Sequence, residues 1–347
     1  MKAPLHKHGG LHQGDGMTAT PSSRNVTPLI AAASRDSLVL TVAAKRTVAD
    51  GVCELALSDP AGRLLPDWTP GSHIDVILPA RRVRQYSLCG DRWDPFVYRV
   101  AVLCDPHGRG GSAYVHDELR VGDRVPIGGP RNNFALVPAQ RYLFIAGGIG
   151  IAPLLPMIEQ TAGSTDAWSL VYAGRSRATM AFLDRLDRYG EHVSVWTDDC
   201  TGRVELAAVM NGLSADTTVY CCGPAGLLEA VEQRSLGWPA GRLRTERFVP
   251  AASAAPMRDT AFDVELALSG LTVTVHPGIG VLDALQAAGV TVLASCRRGV
   301  CGTCEIPVAD GIPDHRDSLL SDEERARNNC MFPCVSRSCS DRLVVDL

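Results

Sequence analysis

The sequence predicts a multidomain fold: an antiparallel β-barrel, then a doubly wound α/β domain, then a small α+β domain that ends on a loop of cysteines. Three observations predict it. Between Leu38 and Asn133 short β-branched runs alternate with turn residues, and from Arg141 onward buried-type strands alternate with helical stretches. Near the C-terminus, SCRRGVCGTCEIP is answered by one more cysteine in MFPCVSR.

Composition sets the bounds. A chain of 347 residues exceeds one ordinary core and implies two or three domains. Hydrophobic residues make up 46%, charged residues 21%, and a net charge of −4 gives no reason to expect nucleic acid as a partner. No apolar run reaches the roughly eighteen residues of a membrane span, so no membrane partner is expected. Twelve cysteines without an export signal suggest a reducing cytoplasm, where thiols bind metal or stay free.

Residues 1–35 are polar, rich in Gly, Pro, His and Ser, and aperiodic, and are expected to be disordered. His6, His8 and His12 there lack the fixed geometry of a metal site, and Met17 is an alternative start. The barrel is expected over 36–133. LVLTVAAKRTVADGVCELALSD reads as two strands around a turn at Ala49-Asp50-Gly51, and SHIDVILP and FVYRVAVLCD continue the alternation.

Two places in this domain carry chemistry. In RQYSL, strand alternation puts Arg84, Tyr86 and Leu88 on one face, offering a cation and an aromatic ring beside the Ser87 hydroxyl. In GRGGSAYVHDEL, Gly110, Gly111 and Ser112 lead into a helix, whose free N–H groups suit a phosphate. Arg84 can add a bidentate clamp on it.

The α/β domain is expected over 134–248. RYLFIAGG is a buried strand, and Gly147, Gly148, Gly150 and Pro153 sit at the strand–loop–helix junction that follows. SLVYAGRS, VSVWTDD and TTVYCCGP are further strands; ATMAFLDRLDRYG, ELAAVMN and AGLLEAVEQRSLG are their helices. The loop is not G-x-G-x-x-G, so nucleotide binding rests on the strand ends. These carry Arg175-Ser176-Arg177, Asp198-Asp199 and Cys222-Gly223-Pro224, where ligands of such sheets bind.

RTERFVP reads as a domain exit, 249–258 as an Ala/Pro/Ser linker, and 259–347 as the last domain. There a hairpin turning at Ser269-Gly270 and a short helix lead to the cysteines, and DRLVVDL is a closing strand. Cys296, Cys301 and Cys304 stand at C-x4-C-x2-C, with Cys334 about thirty residues on, the plant-type spacing for a [2Fe–2S] cluster on four thiolates. A zinc site would want C-x2-C pairs at both ends, and only Cys301 and Cys304 form one. Arg297, Arg298, Gly299, Gly302 and Thr303 let a tight loop aim N–H groups at the sulfurs.

RQYSL with RGGS, GGIGIAP with CCGPAG, and CRRGVCGTC with PCVSR, in this order over roughly residues 36–347, resemble the phthalate dioxygenase reductase and vanillate O-demethylase reductase family. The resemblance implies FMN in the barrel, NADH in the second domain and a β-grasp ferredoxin as the third, passing electrons to a separate terminal oxygenase. It implies flavin contacts from Arg84, Tyr86, Ser87 and the backbone at Val102, and phosphate contacts around Gly111 and Ser112. It also puts Cys222 beside the nicotinamide and Phe248 against the flavin. The tail has no counterpart in the family pattern.

The expected activity is that of a monomeric, NADH-dependent iron–sulfur flavoprotein reductase, with Cys222 and Ser87 at the hydride-transfer site and no general base. Arg175 and Arg177 leave NADPH open, since strand-end arginines serve either nucleotide. Arg297, Arg298 and Arg337 are expected to form a basic docking rim for the oxygenase. The alternatives are a stand-alone NAD(P)H diaphorase acting on a small-molecule acceptor and a zinc-loaded binding protein.

Overall fold

β-Branched runs separated by glycine turns give six antiparallel strands: β1 (Leu38–Ala49), β2 (Val52–Ser58), β3 (Ser72–Leu78), β4 (Arg82–Ser87), β5 (Val97–Leu103) and β6 (Arg124–Asn132). They pair in the order β4-β3-β6-β1-β2-β5, and Leu88, just past β4, bridges Val100 on β5. That bridge closes the sheet into the predicted barrel and removes its open edges. Alternate residues such as Leu40, Val42, Leu55, Leu57, Ile74 and Val76 fill its interior. A short helix, α1 (Gly111–Asp117), follows β5 in the chain and packs against β4 and β5. The computed structural model describes residues 38–79, 82–165, 167–250 and 255–347. The expectations for residues 1–35, including His6, His8, His12 and Met17, and for linker residues 251–254 lie outside these.

The next sheet is wholly parallel. Its strands β7 (Arg141–Gly147), β8 (Trp168–Gly174), β9 (Val193–Thr197), β10 (Thr217–Cys222) and β11 (Leu243–Glu246) lie in the order β11-β10-β7-β8-β9. Helices α2 (Ile151–Ala162), α3 (Leu183–Leu186), α4 (Leu206–Met210) and α5 (Ala225–Arg234) connect them. Alternation divides the sheet between two cores. Tyr142, Phe144, Ala146, Tyr172, Tyr220 and Cys222 face α2, while Leu143, Ile145, Val171, Val219 and Cys221 face α4 and α5. Both faces are therefore covered, as a doubly wound sheet requires.

Two elements differ from expectation. ATMAFLDRLDRYG is not one helix: Phe182 takes a left-handed φ of 65°, leaving a single turn as α3. Its ring is buried in the core with Met180, and turning it inward interrupts the helix. LRTE, read as part of a domain exit, is the edge strand β11, paired in parallel from Val219↔Leu243 to Cys222↔Glu246. Its polar sequence hid it.

The last module has β12 (Phe262–Leu266), β13 (Thr272–Val275), α6 (Val281–Ala287), β14 (Ile306–Asp310), β15 (Pro313–Asp314), α7 (Asp322–Ala326), β16 (Cys330–Met331), β17 (Arg337–Ser338) and β18 (Arg342–Val345). The first and last strands of its main sheet, β12 and β18, run parallel at the centre of the order β13-β12-β18-β14-β16. Val281, Leu282, Ala284 and Leu285 of α6 pack on that sheet. This is the predicted β-grasp.

Tyr220 ties the barrel exit to the nucleotide sheet: its hydroxyl accepts from Val137 N–H at 2.7 Å and donates to the Ala135 carbonyl at 3.2 Å. Tyr220→Phe removes both bonds from a half-buried seam and is expected to cost about 1 kcal/mol. Urea unfolding followed by tryptophan fluorescence checks this as a lowered midpoint with an unchanged slope.

Candidate functional site

Strand order reverses between β7 and β10, which makes the crevice beyond their carboxyl ends the place where such sheets take ligands. Gly147 ends β7 and Gly148 and Gly150 follow it, and Gly223 and Pro224 follow β10. The two loops touch backbone to backbone. A Cβ on Gly150 would stand 2.1 Å from the Cys222 carbonyl oxygen, and one on Gly147 2.6 Å from Pro224 Cδ. Any side chain there would collide with the facing loop and force the two loops apart. Pro153 is buried in the first turn of α2. Arg175 and Arg177 are exposed just beyond β8, and neither guanidinium has a partner among the described residues.

Across this crevice lies the end of β4. Ser87 is buried, and its hydroxyl donates to Glu246 Oε2 at 3.4 Å. Glu246 closes β11 in register with Cys222, so three polar side chains from three strands meet where barrel and nucleotide sheet join. Burial raises the Glu246 carboxyl to about 8, against the smaller opposing pull of the Ser87 bond. Burial also raises the Cys222 thiol well above its ordinary value, and the neighbouring Glu246 adds to the effect. Cys222 therefore stands here as a neutral thiol. Glu246 was missed at the sequence level; its only signal was a carboxylate ending a strand too polar to be recognised.

On the barrel side, Tyr86 packs on the barrel core, and its buried hydroxyl has no hydrogen-bond partner. Such an orphaned donor is rare without a ligand to satisfy it. Arg84 arches over the glycine loop, donating to the Arg109 carbonyl at 2.9 Å, and a Cβ on Gly111 would lie 2.2 Å from its Nε. Arg82, not singled out from the sequence, donates to the Gly110 carbonyl at 3.0 Å. Ser112 Oγ accepts from Asp105 N–H, which leaves its own proton to donate. Val102 is different. Its side chain lies in the barrel core and its carbonyl bonds the His116 ring at 2.8 Å, so that carbonyl is already committed. These residues fit a flavin whose ring meets Tyr86 and whose phosphate meets the arginines.

The cysteine loop follows α6. The Cys296 thiol interacts directly with Cys301, and that of Cys334 with both Cys296 and Cys304. Arg298 N–H points at Cys296 Sγ at 3.2 Å and Thr303 N–H at Cys301 Sγ at 3.4 Å, the backbone donors expected of an iron–sulfur loop. Tight winding holds Arg297, Gly299 and Gly302 at positive φ. Among the described residues no three Cys, His, Asp or Glu side chains are arranged to hold a single metal ion. In a [2Fe–2S] centre each iron takes only two of the four thiolates, and this donor set fits it.

The docking rim does not form as expected. Arg337 is buried, stacked 5.2 Å from the Phe262 ring and bonded to the carbonyl of Ile279. Arg298 turns inward to the Phe248 carbonyl at 3.1 Å, and exposed Arg297 is paired with Asp283 at 3.1 Å. Free main-chain carbonyls inside the fold outcompete solvent for two of the three. Phe248 itself packs against the core shared by barrel and nucleotide sheet.

Comparison with known proteins agrees with this geometry. Residues 264–339 match a family described as 2Fe-2S iron-sulfur cluster binding domain, and residues 144–233 one described as oxidoreductase NAD-binding domain. The chain is 41% identical to phenoxybenzoate dioxygenase subunit beta of Ectopseudomonas oleovorans, covering 91% of this chain and 99% of the relative. It is 39% identical to vanillate O-demethylase oxidoreductase of Pseudomonas sp. (strain HR199 / DSM 7063), covering 88% and 98%. Among solved structures it matches an intact type IV self-sufficient cytochrome P450 monooxygenase with a TM-score of 0.85 and 44% identity, covering 89% of this chain but only 41% of that one. It matches phthalate dioxygenase reductase with a TM-score of 0.65 and 35% identity, covering 89% and 98%. The chain belongs to the phthalate dioxygenase reductase and vanillate O-demethylase reductase family, and it is an NADH-dependent iron–sulfur flavoprotein oxidoreductase.

Proposed function

We propose that the chain is the reductase component of a two-component oxygenase, carrying electrons from NADH through FMN and a [2Fe–2S] cluster to a separate terminal oxygenase of the Rieske type. One observation carries this reading: the crevice at the strand reversal, the Ser87–Glu246 seam and the four-thiol loop all abut in one compact unit. The flavin supplies the exchange between two-electron hydride chemistry and one-electron iron chemistry. Relatives named for phenoxybenzoate, vanillate and phthalate favour an oxygenase acting on aromatic acids or aryl ethers.

Each of this chain's residues then has a task. Gly147, Gly148, Gly150, Pro153, Gly223 and Pro224 admit the dinucleotide, and Arg175 meets its adenosine end. Cys222 sets the nicotinamide over the flavin as a neutral thiol. Ser87 donates to Glu246, whose carboxyl holds a proton beside it. Arg84, Gly110, Gly111 and Ser112 take the phosphate, Tyr86 and the Val102 backbone border the ring, and Phe248 covers it until nucleotide enters. Cys296, Cys301, Cys304 and Cys334 hold the iron. We place the reaction in the cytoplasm, where these thiols stay reduced, and in a single copy of the chain, which contains every module. Among the described residues no helix is long and apolar enough to cross a membrane.

Anaerobic visible spectra before and after NADH test the whole reading: flavin and iron–sulfur bands should both bleach, and the released flavin should be FMN. A flavin band alone, unaltered by iron and sulfide, would reduce the protein to a diaphorase. Cys222→Ala is expected to slow stopped-flow flavin reduction by about 10-fold or more while leaving both absorption bands in place, because mispositioned reactants lose rate steeply. Glu246 gives a pH test. A carboxyl raised in the fold contributes stability that is present below about 4.5 and lost as pH rises through about 8. Glu246→Gln should therefore match the parent in Tm at the acid end and exceed it increasingly up to that value.

A further inference from the structure

The iron–sulfur module meets the rest of the molecule differently from the way barrel and nucleotide sheet meet each other. Val52, Cys89 and Ala101 of the barrel enter the core of the nucleotide domain, whereas the core of the last module is built from its own residues. What reaches out of the cysteine loop is polar. Ser295 Oγ donates to Asp75 Oδ1 at 2.8 Å, Asn133 Nδ2 donates to the Cys301 carbonyl at 2.8 Å, and Arg298 donates to the Phe248 carbonyl at 3.1 Å.

The first of these bonds ends on a carboxylate built into the barrel. Asp75 lies in the middle of β3 and is 6% exposed. Its Oδ2 takes Arg131 Nη2 at 2.6 Å, and its Oδ1 also takes Gln85 Nε2 at 3.0 Å. Gly128 makes room for it, since a Cβ there would stand 3.2 Å from Oδ2. Two barrel side chains thus fix the carboxylate, and its remaining bond leaves the barrel for the residue that precedes Cys296. A hydroxyl bonded to a buried carboxylate is about twice as strong as a neutral pair.

We propose that Asp75 is a positioning residue for intramolecular electron transfer: through Ser295 it fixes the cysteine loop against the flavin barrel. This rests on the electron-transfer reading above. When bound, the flavin would take two electrons and a proton from NADH as hydride, would give the electrons up singly, each reducing one ferric iron of the cluster as the previous one leaves for the protein acceptor, and would release the proton to solvent. The separation across which each electron moves is set by the contacts of this loop.

The test uses the full-length holoprotein. Ser295→Ala removes the bond and keeps the Asp75–Arg131 pair, Ser295→Thr keeps the hydroxyl, and Asp75→Asn removes the charge. Amide hydrogen exchange over residues 295–304 is read without NADH, and stopped flow after mixing with NADH reads flavin and cluster reduction separately. In Ser295→Ala, exchange should rise about five-fold, the effect of losing one hydrogen bond, and cluster reduction should slow by at least about as much. Flavin reduction and the electron paramagnetic resonance signal of the dithionite-reduced cluster should stay as in the parent, and Ser295→Thr should restore both affected rates. Parent-like exchange and cluster reduction in Ser295→Ala would overturn the proposal, whether or not Asp75→Asn folds. A parent whose cluster stays oxidised under NADH would overturn the electron-transfer reading instead, and exchange over 295–304 would still decide whether Asp75 holds the loop.

Discussion

The apolar core that runs from the barrel into the nucleotide domain is the constraint on which the site depends. Cys89 and Ala101 of the barrel pack with Phe144, Leu154 and Tyr172 in one continuous interior, and Arg185 fastens the same seam through the Cys89 carbonyl at 2.9 Å. Cores packed to this density do not slide. Ser87 at the end of one sheet therefore meets Glu246 and Cys222 at the ends of two strands of another, without a loop having to carry any of them.

Much of this was legible in the sequence, and for physical reasons. Strands buried on both faces, such as RYLFIAG and TTVYCC, must be apolar throughout, and glycine is forced where two backbones touch, so GGIG and CCGP announced the crevice. A plant-type cluster takes four thiolates at a recognisable spacing, which made the four cysteines the plainest signal of all. Edge strands obey weaker rules. Leu243–Glu246 is half-buried and pairs on one side only, so nothing required its residues to alternate, and Glu246 was lost with the strand that carries it.

The arginines show a second limit. Sequence gives their charge but not their reach. Arg337 spends its guanidinium on carbonyls within its own module and Arg298 on Phe248, while exposed Arg297 pairs with Asp283 at the surface, so two of the three arginines serve the interior. Val102 shows the same limit, since His116, fourteen residues away, bonds its carbonyl. Long side chains choose partners in space, and spacing along the chain carries no record of the choice.

The depth at which Cys222 is buried has a consequence for the lifetime of the protein. A reduced flavoprotein that meets oxygen makes peroxide at its own site, and peroxide attacks thiolates, not thiols. Cys222, which we propose to lie beside the nicotinamide, is closed to solvent and kept protonated by its surroundings, whereas Cys200 lies exposed on the turn after β9. On that proposal, burial shields from peroxide the thiol that would align the hydride donor.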